Sequence, residues 1–159
     1  MIRMSLVGVR VEVGTNQPIV LLREESGRRY LPIYIGQPEA TAIVYALQSM
    51  ETPRPMTHDL MKTVLDTMNT KLSRVVITDL HGGTYFAELE LTNGGGEQRI
   101  SSRPSDAIAL AVRYEEPVPI FAEDSVLEDA GVLFDSEDEE DQVEEFREFL
   151  EHVSPEDFA

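Results

Sequence analysis

Two short segments of the chain place an arginine, a hydroxyl group and a carboxylate beside a proline that is typical of a helix start. One is residues 54–60, with the sequence RPMTHDL, and the other is residues 103–108, with the sequence RPSDAI. The first turn of a helix has free backbone N–H groups and a partial positive charge, so it binds anions. If the two starts meet in space, they form a polar pocket that suits a phosphate-bearing ligand.

In the first segment, His58 is a candidate catalytic base because imidazole titrates near neutral pH. Asp59 is a candidate for proton transfer or metal binding, and Arg54 and Thr57 are candidate substrate-binding residues. The alternative interpretation is structural: Thr57 caps the helix and Asp59 complements the helix dipole.

In the second segment, Pro104 at the first helical position holds Arg103 in an extended conformation. Arg103 and Ser105 are then candidates for binding phosphate, and Asp106 is a candidate catalytic residue. The alternative is an intramolecular pair between Arg103 and an aspartate that ties a strand to the helix.

Carboxylates near the ends of the predicted elements could also bind a divalent metal ion, Mg²⁺ or Mn²⁺. The predicted ligands are Asp59, Asp106 and Glu39, and Asp79 is a further carboxylate at a strand end. Two-metal cleavage of phosphodiesters requires carboxylates that bridge ions roughly 4 Å apart. The spacing in the sequence leaves open whether these side chains come together.

The elements that position these residues form a duplicated pattern. Alternating apolar residues predict strands at 6–13, 18–24 and 30–35, followed by a helix at 39–50 that Pro38 opens. Adding 66 to these positions yields strands at 73–79, 84–91 and 98–102, followed by a helix that Pro104 opens. The pattern predicts an α+β fold built from two β-β-β-α units with mixed or antiparallel sheets.

Three further elements lie between and after the units. A helix is predicted at 57–69, an edge strand at 118–121, where proline is tolerated, and a short helix at 125–130. We expect the buried face of the helix at 57–69 to consist of the following apolar residues: Leu60, Met61, Val64, Leu65 and Met68.

Charge divides the chain into a domain at 1–132 and an acidic linker with a C-terminal amphipathic helix at 133–159. The net charge is −17, and residues 135–159 hold twelve acidic residues and one basic residue. An apolar stripe in this tail must dock on the domain or on a partner, and the acidic residues predict a basic protein partner. The stripe consists of Val143, Phe146, Phe149, Leu150 and Val153.

Composition excludes several classes of function. The chain has no cysteine, which excludes disulfides, thiolate metal sites and a cysteine nucleophile. It has neither a signal-peptide pattern nor an apolar run near the ~20 residues of a membrane span, so we expect a cytoplasmic protein. Residues 1–134 hold eighteen acidic and twelve basic residues, so any polyanion must be held locally rather than by a broad basic surface.

Three blocks of the sequence resemble the bifunctional nuclease domain family. They are LPIYIG at 31–36 followed by Glu39-Ala40, PRPMTHDL at 53–60, and RPSDAIALA at 103–111. The tail resembles that of actinobacterial members. The resemblance implies an α+β fold with a duplicated unit and a nuclease activity toward DNA and RNA. Members often carry Asp-Ala before the third block, where this chain has Ser101-Ser102.

Together these observations predict a nuclease that hydrolyses phosphodiester bonds in DNA or RNA with the help of a metal ion. The main alternative is a non-enzymatic module that binds an anion or nucleotide and acts through protein partners. A third possibility is an assembly protein whose blocks pack against a second copy. Sheet edges in two small units favour self-association, so we expect a homodimer.

Overall fold

The computed structural model describes residues 1–134 of the 159-residue chain. The predictions for residues 135–159, including the acidic C-terminal helix and its apolar stripe, lie outside the described residues. The strands are β1 (Ile2–Val11), β2 (Pro18–Glu24), β3 (Arg29–Tyr34), β4 (Lys71–His81), β5 (Thr84–Asn93), β6 (Gly96–Ser102), β7 (Ile120–Ala122) and β8 (Val132–Leu133). The helices are α1 (Gln37–Leu47), α2 (Thr57–Thr67), α3 (Pro104–Ala111) and α4 (Asp124–Ala130).

The α+β fold with a duplicated unit is confirmed. The first unit is an antiparallel meander of β1, β2 and β3 followed by α1, and the second repeats this order with β4, β5, β6 and α3. Proline lies in the first turn of both α1 and α3. Since proline has no N–H to donate and a fixed φ, it suits the first turn of both helices, as the second residue of α1 and the first of α3.

The two units share one eight-stranded sheet with the order β6-β5-β4-β7-β1-β2-β3-β8. Strand β7 lies at the centre, antiparallel to β1 and parallel to β4. The prediction of an edge strand at 118–121 is therefore wrong, because the strand lies between β4 and β1. Pro119 precedes the strand, where its missing N–H breaks no ladder, while its carbonyl accepts a hydrogen bond from Val75 N at 2.9 Å.

The core lies between the inner face of the sheet and helices α1 and α3. Alternate strand residues such as Val9, Leu31 and Ile77 are fully buried there. In α3 every residue is buried except Asp106. A helix that is apolar nearly all round lies in the core. Only Asp106, in the first turn of α3, remains to contact polar groups.

Helix α2 lies on the outside, and its apolar face differs from the prediction. Met61 and Leu65 are partly buried and pack against the core. Leu60, Val64 and Met68 are exposed by 54%, 46% and 68%. The helix packs mainly against α3 and β4, so only a narrow stripe of its surface is buried. No helix within residues 1–134 is long and apolar enough to cross a bilayer.

Candidate active site

The two proline-marked segments each begin a helix, as predicted. Arg103 precedes α3 in an extended conformation, with φ −71° and ψ 145°. Met56 precedes α2 in a similar conformation, so Thr57 is the first helical residue rather than the cap. The carboxylate of Asp59 accepts a hydrogen bond from Met56 N at 2.9 Å instead. Asp59 thus satisfies one of the free N–H groups at this helix end.

The two helix starts meet through His58 and Asp106. The distance from His58 Nε2 to Asp106 Oδ1 is 2.9 Å, although the residues are 48 positions apart. An ionised carboxylate only accepts hydrogen bonds, so Nε2 of a neutral imidazole carries the proton and Nδ1 keeps a lone pair. His58 is 8% exposed and the Asp106 side chain 31% exposed, so this contact is a partly buried link between α2 and α3.

Arg103 joins the same cluster and connects it to α1. Its Nε donates to Asp106 Oδ2 and its Nη1 donates to Glu39 Oε1, both at 2.9 Å. The Arg103 side chain nevertheless remains 63% exposed. A Cβ atom on Gly36 would collide with the Glu39 carboxylate. The glycine therefore lets Glu39 fold back over the start of α1.

The environment lowers the pKa of both aspartates. Partial burial raises the pKa of Asp106, but hydrogen bonds from Arg103 and His58 outweigh burial, and the net pKa is lowered. Burial also raises the pKa of Asp59, and hydrogen bonds from Met56 N and from Arg113 bring the net pKa down. The same pairing raises the pKa of Arg103. Both aspartates are therefore ionised at neutral pH.

A second ion pair lies beside the first and was not predicted. The Arg113 side chain is only 5% exposed, and its Nε donates to Asp59 Oδ1 at 2.8 Å. Its terminal nitrogens donate to the carbonyls of Ala109 and Ala42 at 2.6 and 3.0 Å. Arg113 follows the end of α3, where a basic residue usually complements the helix dipole. That common pattern gave no signal that this arginine is buried.

The remaining predicted residues lie in different settings. Ser105 is buried, with 6% exposure, at the start of α3. Arg54 and Thr57 are exposed. Within residues 1–134 the Arg54 side chain makes no hydrogen bond or ion pair, and its carbonyl accepts a hydrogen bond from Thr52 Oγ1 at 2.6 Å. Arg103 is thus the arginine that lies among the carboxylates, and Arg54 does not pair with them.

A cleft of about 330 Å³ opens beside Arg103. Its walls come from the junction of β3 and α1, the β4–β5 hairpin and the start of α3. The lining residues are Ile33, Tyr34, Ile35, Gly36, Glu39, Gly83, Thr84, Tyr85, Arg103, Pro104 and Ser105. Tyr85 Oη donates to the Pro32 carbonyl at 3.3 Å and so holds the two units together at this cleft. The starts of α1 and α3 both border the cleft.

The predicted metal ligands do not form a ready-made metal site. No group of three or more histidine, aspartate or glutamate side chains within residues 1–134 is arranged to hold an ion. Both oxygens of Asp106 and both of Asp59 accept hydrogen bonds, and one oxygen of Glu39 binds Arg103. As arranged, these three carboxylates accept hydrogen bonds from arginine, histidine and backbone donors rather than binding a metal ion.

The sequence of the chain matches the model of one known family over most of its length. The model of the bifunctional nuclease domain family matches residues 20–135. The chain is therefore a member of the bifunctional nuclease domain family, which confirms the resemblance seen in its three sequence blocks.

Relatives of two kinds share this domain. An uncharacterized protein of Mycobacterium tuberculosis strain H37Rv is 47% identical over 96% of this chain and 95% of its own length. Bifunctional nuclease 2 of Oryza sativa subsp. japonica is 30% identical over 71% of this chain, and bifunctional nuclease 2 of Arabidopsis thaliana is 31% identical over 64%. These two matches span only 36% and 32% of the plant proteins.

Proposed function

We propose that the protein is a nuclease that hydrolyses phosphodiester bonds in DNA or RNA at the cleft beside Arg103. The observation that carries the proposal is the 2.9 Å contact between His58 and Asp106, which joins two helix starts distant in the chain. Family membership supports it, because relatives in two plants are named bifunctional nucleases.

Substrate phosphate is held by Arg103 and the start of α3. The guanidinium is largely exposed and carries a full positive charge, while the first turn of α3 offers backbone N–H groups. A phosphate that binds here competes with Glu39 and Asp106 for the guanidinium. Ser105 lies in the wall of the same cleft and adds a hydroxyl donor.

Proton transfer is assigned to His58, which does not line the cleft itself and is linked to Arg103 through Asp106. A water oxygen attacks phosphorus while Nδ1 of His58 takes the proton, and the bond to the leaving sugar oxygen breaks as that oxygen takes a proton from solvent. Asp106 fixes the ring through Nε2 and stabilises the imidazolium that forms, as a carboxylate does in a hydrolase triad. Asp59 lies beside His58 and accepts a hydrogen bond from Arg113, so its role is to position α2 and with it His58.

The divalent ion predicted from the sequence stays a prediction, and no step is routed through it. Binding of phosphate to Arg103 would release oxygens of Glu39 and Asp106, which are of the hard type that Mg²⁺ and Mn²⁺ prefer. Loss of cleavage after dialysis against EDTA, with recovery on adding Mn²⁺, is the result expected if the ion takes part. Cleavage that persists in EDTA contradicts it.

The nuclease proposal is tested with purified protein and end-labelled single-stranded DNA and RNA. We expect cleavage by the wild type, and a fall in kcat of about 10²- to 10⁴-fold for Asp106→Asn because His58 loses its orienting carboxylate. Asp66→Asn is the control, since Asp66 pairs with Lys62 on the far part of α2. Cleavage that survives in the double variant Arg103→Ala/Asp106→Asn comes from a contaminant and sinks the proposal.

A non-enzymatic anion-binding module is the second candidate. The observation in its favour is that two carboxylates already pair with Arg103. An anion could replace a carboxylate at this arginine without any reaction. Thermal unfolding with nucleotides and phosphate esters separates the two functions. A rise in Tm with no turnover of any ester supports the binding module.

A homodimer completes the proposal, and strand β6 is the surface that fits it. Among residues 1–134 this strand pairs on one side only, and all its residues except Ser102 are exposed. Antiparallel pairing of two β6 strands about Gln98 would set Glu97 of each copy opposite Arg99 of the other. Opposite charges in directly facing strand positions stabilise pairing. The cytoplasmic location and the basic protein partner of the acidic tail stay predictions from the sequence.

A further inference from the structure

Tyr34 occupies a position between two clefts. It is the last residue of β3, and its side chain is large and 56% exposed. It lines the cleft that contains Arg103, and it also lines a neighbouring cleft of about 410 Å³. Tyr34 is therefore the residue that the linings of the two clefts share.

The neighbouring cleft differs in chemistry from the first. Ile19 faces Tyr34 directly in the β2–β3 pairing, and Leu21 faces Pro32, so these side chains share one face of the sheet. Phe134 lies over the same face and packs edge-on against Tyr30, with 4.8 Å between ring centroids. Arg10 and Glu12 supply polar groups. An apolar floor with a few polar groups suits a flat, partly polar ring.

We propose that Tyr34 is a stacking platform for a nucleobase and that the neighbouring cleft receives that base when its phosphate lies at Arg103. This inference rests on the proposed nuclease function and names the substrate class as single-stranded nucleic acid. Tyr34 Oη donates to Glu12 Oε1 at 3.4 Å, and the residue remains 56% exposed.

A single strand fits this arrangement better than a duplex for two reasons. Bases in a duplex already stack on their neighbours, so only an unpaired base offers a free face to Tyr34. Duplex binding also depends on many cationic contacts to phosphate, and the net charge of −17 provides no such track. Stacking would replace part of that missing electrostatic attraction.

Binding of a 2-aminopurine-labelled oligonucleotide to full-length protein tests the inference. Stacking on tyrosine quenches 2-aminopurine, so we expect quenching with single-stranded DNA and little with the same sequence in a duplex. Tyr34→Ala should weaken binding by about 5- to 150-fold, the usual effect of removing a stacking aromatic. Tyr34→Phe should keep both affinity and quenching, and Tyr34→Leu should lose quenching while preserving apolar bulk on the strand.

Two controls make the result specific. Phe86 is also an exposed aromatic, at 40%, but it lines neither cleft, so Phe86→Ala should bind like the wild type. An abasic oligonucleotide of equal length should bind wild type and Tyr34→Ala alike. Equal affinity of wild type, Tyr34→Ala and Tyr34→Leu for the labelled strand overturns the inference. Because binding is measured without turnover, quenching that depends on Tyr34 supports the platform even if cleavage fails.

Discussion

At the scale of single residues, the charges of Arg103 and Asp106 are balanced by ion pairs within the site. Asp106 accepts hydrogen bonds from both Arg103 and His58, so its carboxylate is stabilised in the ionised form. Arg103 shares its guanidinium between Asp106 and Glu39 and remains largely exposed. The cluster is therefore open to an incoming anion, since a phosphate can replace one carboxylate at Arg103 without leaving a buried charge unpaired.

The lowered pKa of Asp106 predicts a pH-dependent contribution to stability. A carboxyl whose folded-state pKa lies below its unfolded value of about 3.9 stabilises the fold above that pH. This contribution is lost as the pH falls through the lowered folded value. The difference in free energy of unfolding between wild type and Asp106→Asn should thus be largest at neutral pH and shrink below about pH 4.

Urea denaturation at a series of pH values measures this difference. Asp66→Asn is the matched control, because that carboxylate is half-exposed and pairs with Lys62 on the same helix. It should leave the pH dependence of the wild type in place. A constant difference between wild type and Asp106→Asn from neutral to acid pH would contradict the assignment of Asp106 as the stabilised carboxylate.

At the scale of elements, Arg113 holds the three helices around the site together. It contacts Asp59 at the start of α2, the Ala42 carbonyl of α1 and the Ala109 carbonyl of α3. Helix α2 has little other buried surface, with His58 as its one buried residue. The position of His58 relative to Asp106 therefore depends on polar links as much as on apolar packing.

Replacing Arg113 with methionine should destabilise the protein by about 2–4 kcal/mol, because three hydrogen bonds are lost and two buried carbonyls lose a donor. Asp59 can still hydrate, as its side chain is 41% exposed, which favours the lower end of this range. Denaturant unfolding measures the loss. The control is Arg28→Met, an exposed arginine, which should change the free energy of unfolding by less than about 0.5 kcal/mol.

Local sequence signals predicted the ends of some elements, but not which elements lie next to each other. Strand β2 has the predicted bounds of 18–24, because a turn and a proline delimit it. The start of strand β7 was predicted two residues early and its end one residue early. It was also predicted at an edge, since a proline within a short apolar run does not reveal whether the strand has neighbours. The predicted helix at 57–69 has apolar residues on more than one side, so the sequence did not show which of them are buried. Met61 packs against the core, whereas Met68, just after the end of α2, is exposed.

At the scale of the whole molecule, the edge of β6 that pairs with no strand of residues 1–134 predicts self-association. Glu97 and Arg99 are complementary across a two-fold axis at Gln98. Glu97→Lys would set a lysine opposite Arg99 twice, and like charges in facing positions destabilise pairing. Size-exclusion chromatography with light scattering should report twice the mass of the 159-residue chain for the wild type and the chain mass for the variant.

The neutral variant Glu97→Gln removes the attraction without adding repulsion and should show an intermediate dimer affinity. Strand β6 pairs with β5 through its other side, so the monomer fold is unaffected and circular dichroism should match the wild type. A wild type that elutes as a monomer at micromolar concentration, or a Glu97→Lys variant that remains dimeric, argues against β6 as the interface.

The sequence by itself determined the family, the duplicated unit and the starts of α2 and α3. Proline, glycine and alternating apolar residues act within a few positions of the chain, so their consequences can be predicted locally. Only the tertiary structure decided which charged groups meet. Whether His58 reaches Asp106, whether Arg54 or Arg103 joins the carboxylates, and whether Arg113 is buried all depend on how α2 packs across α3, and contacts between distant segments leave no periodic trace in the sequence.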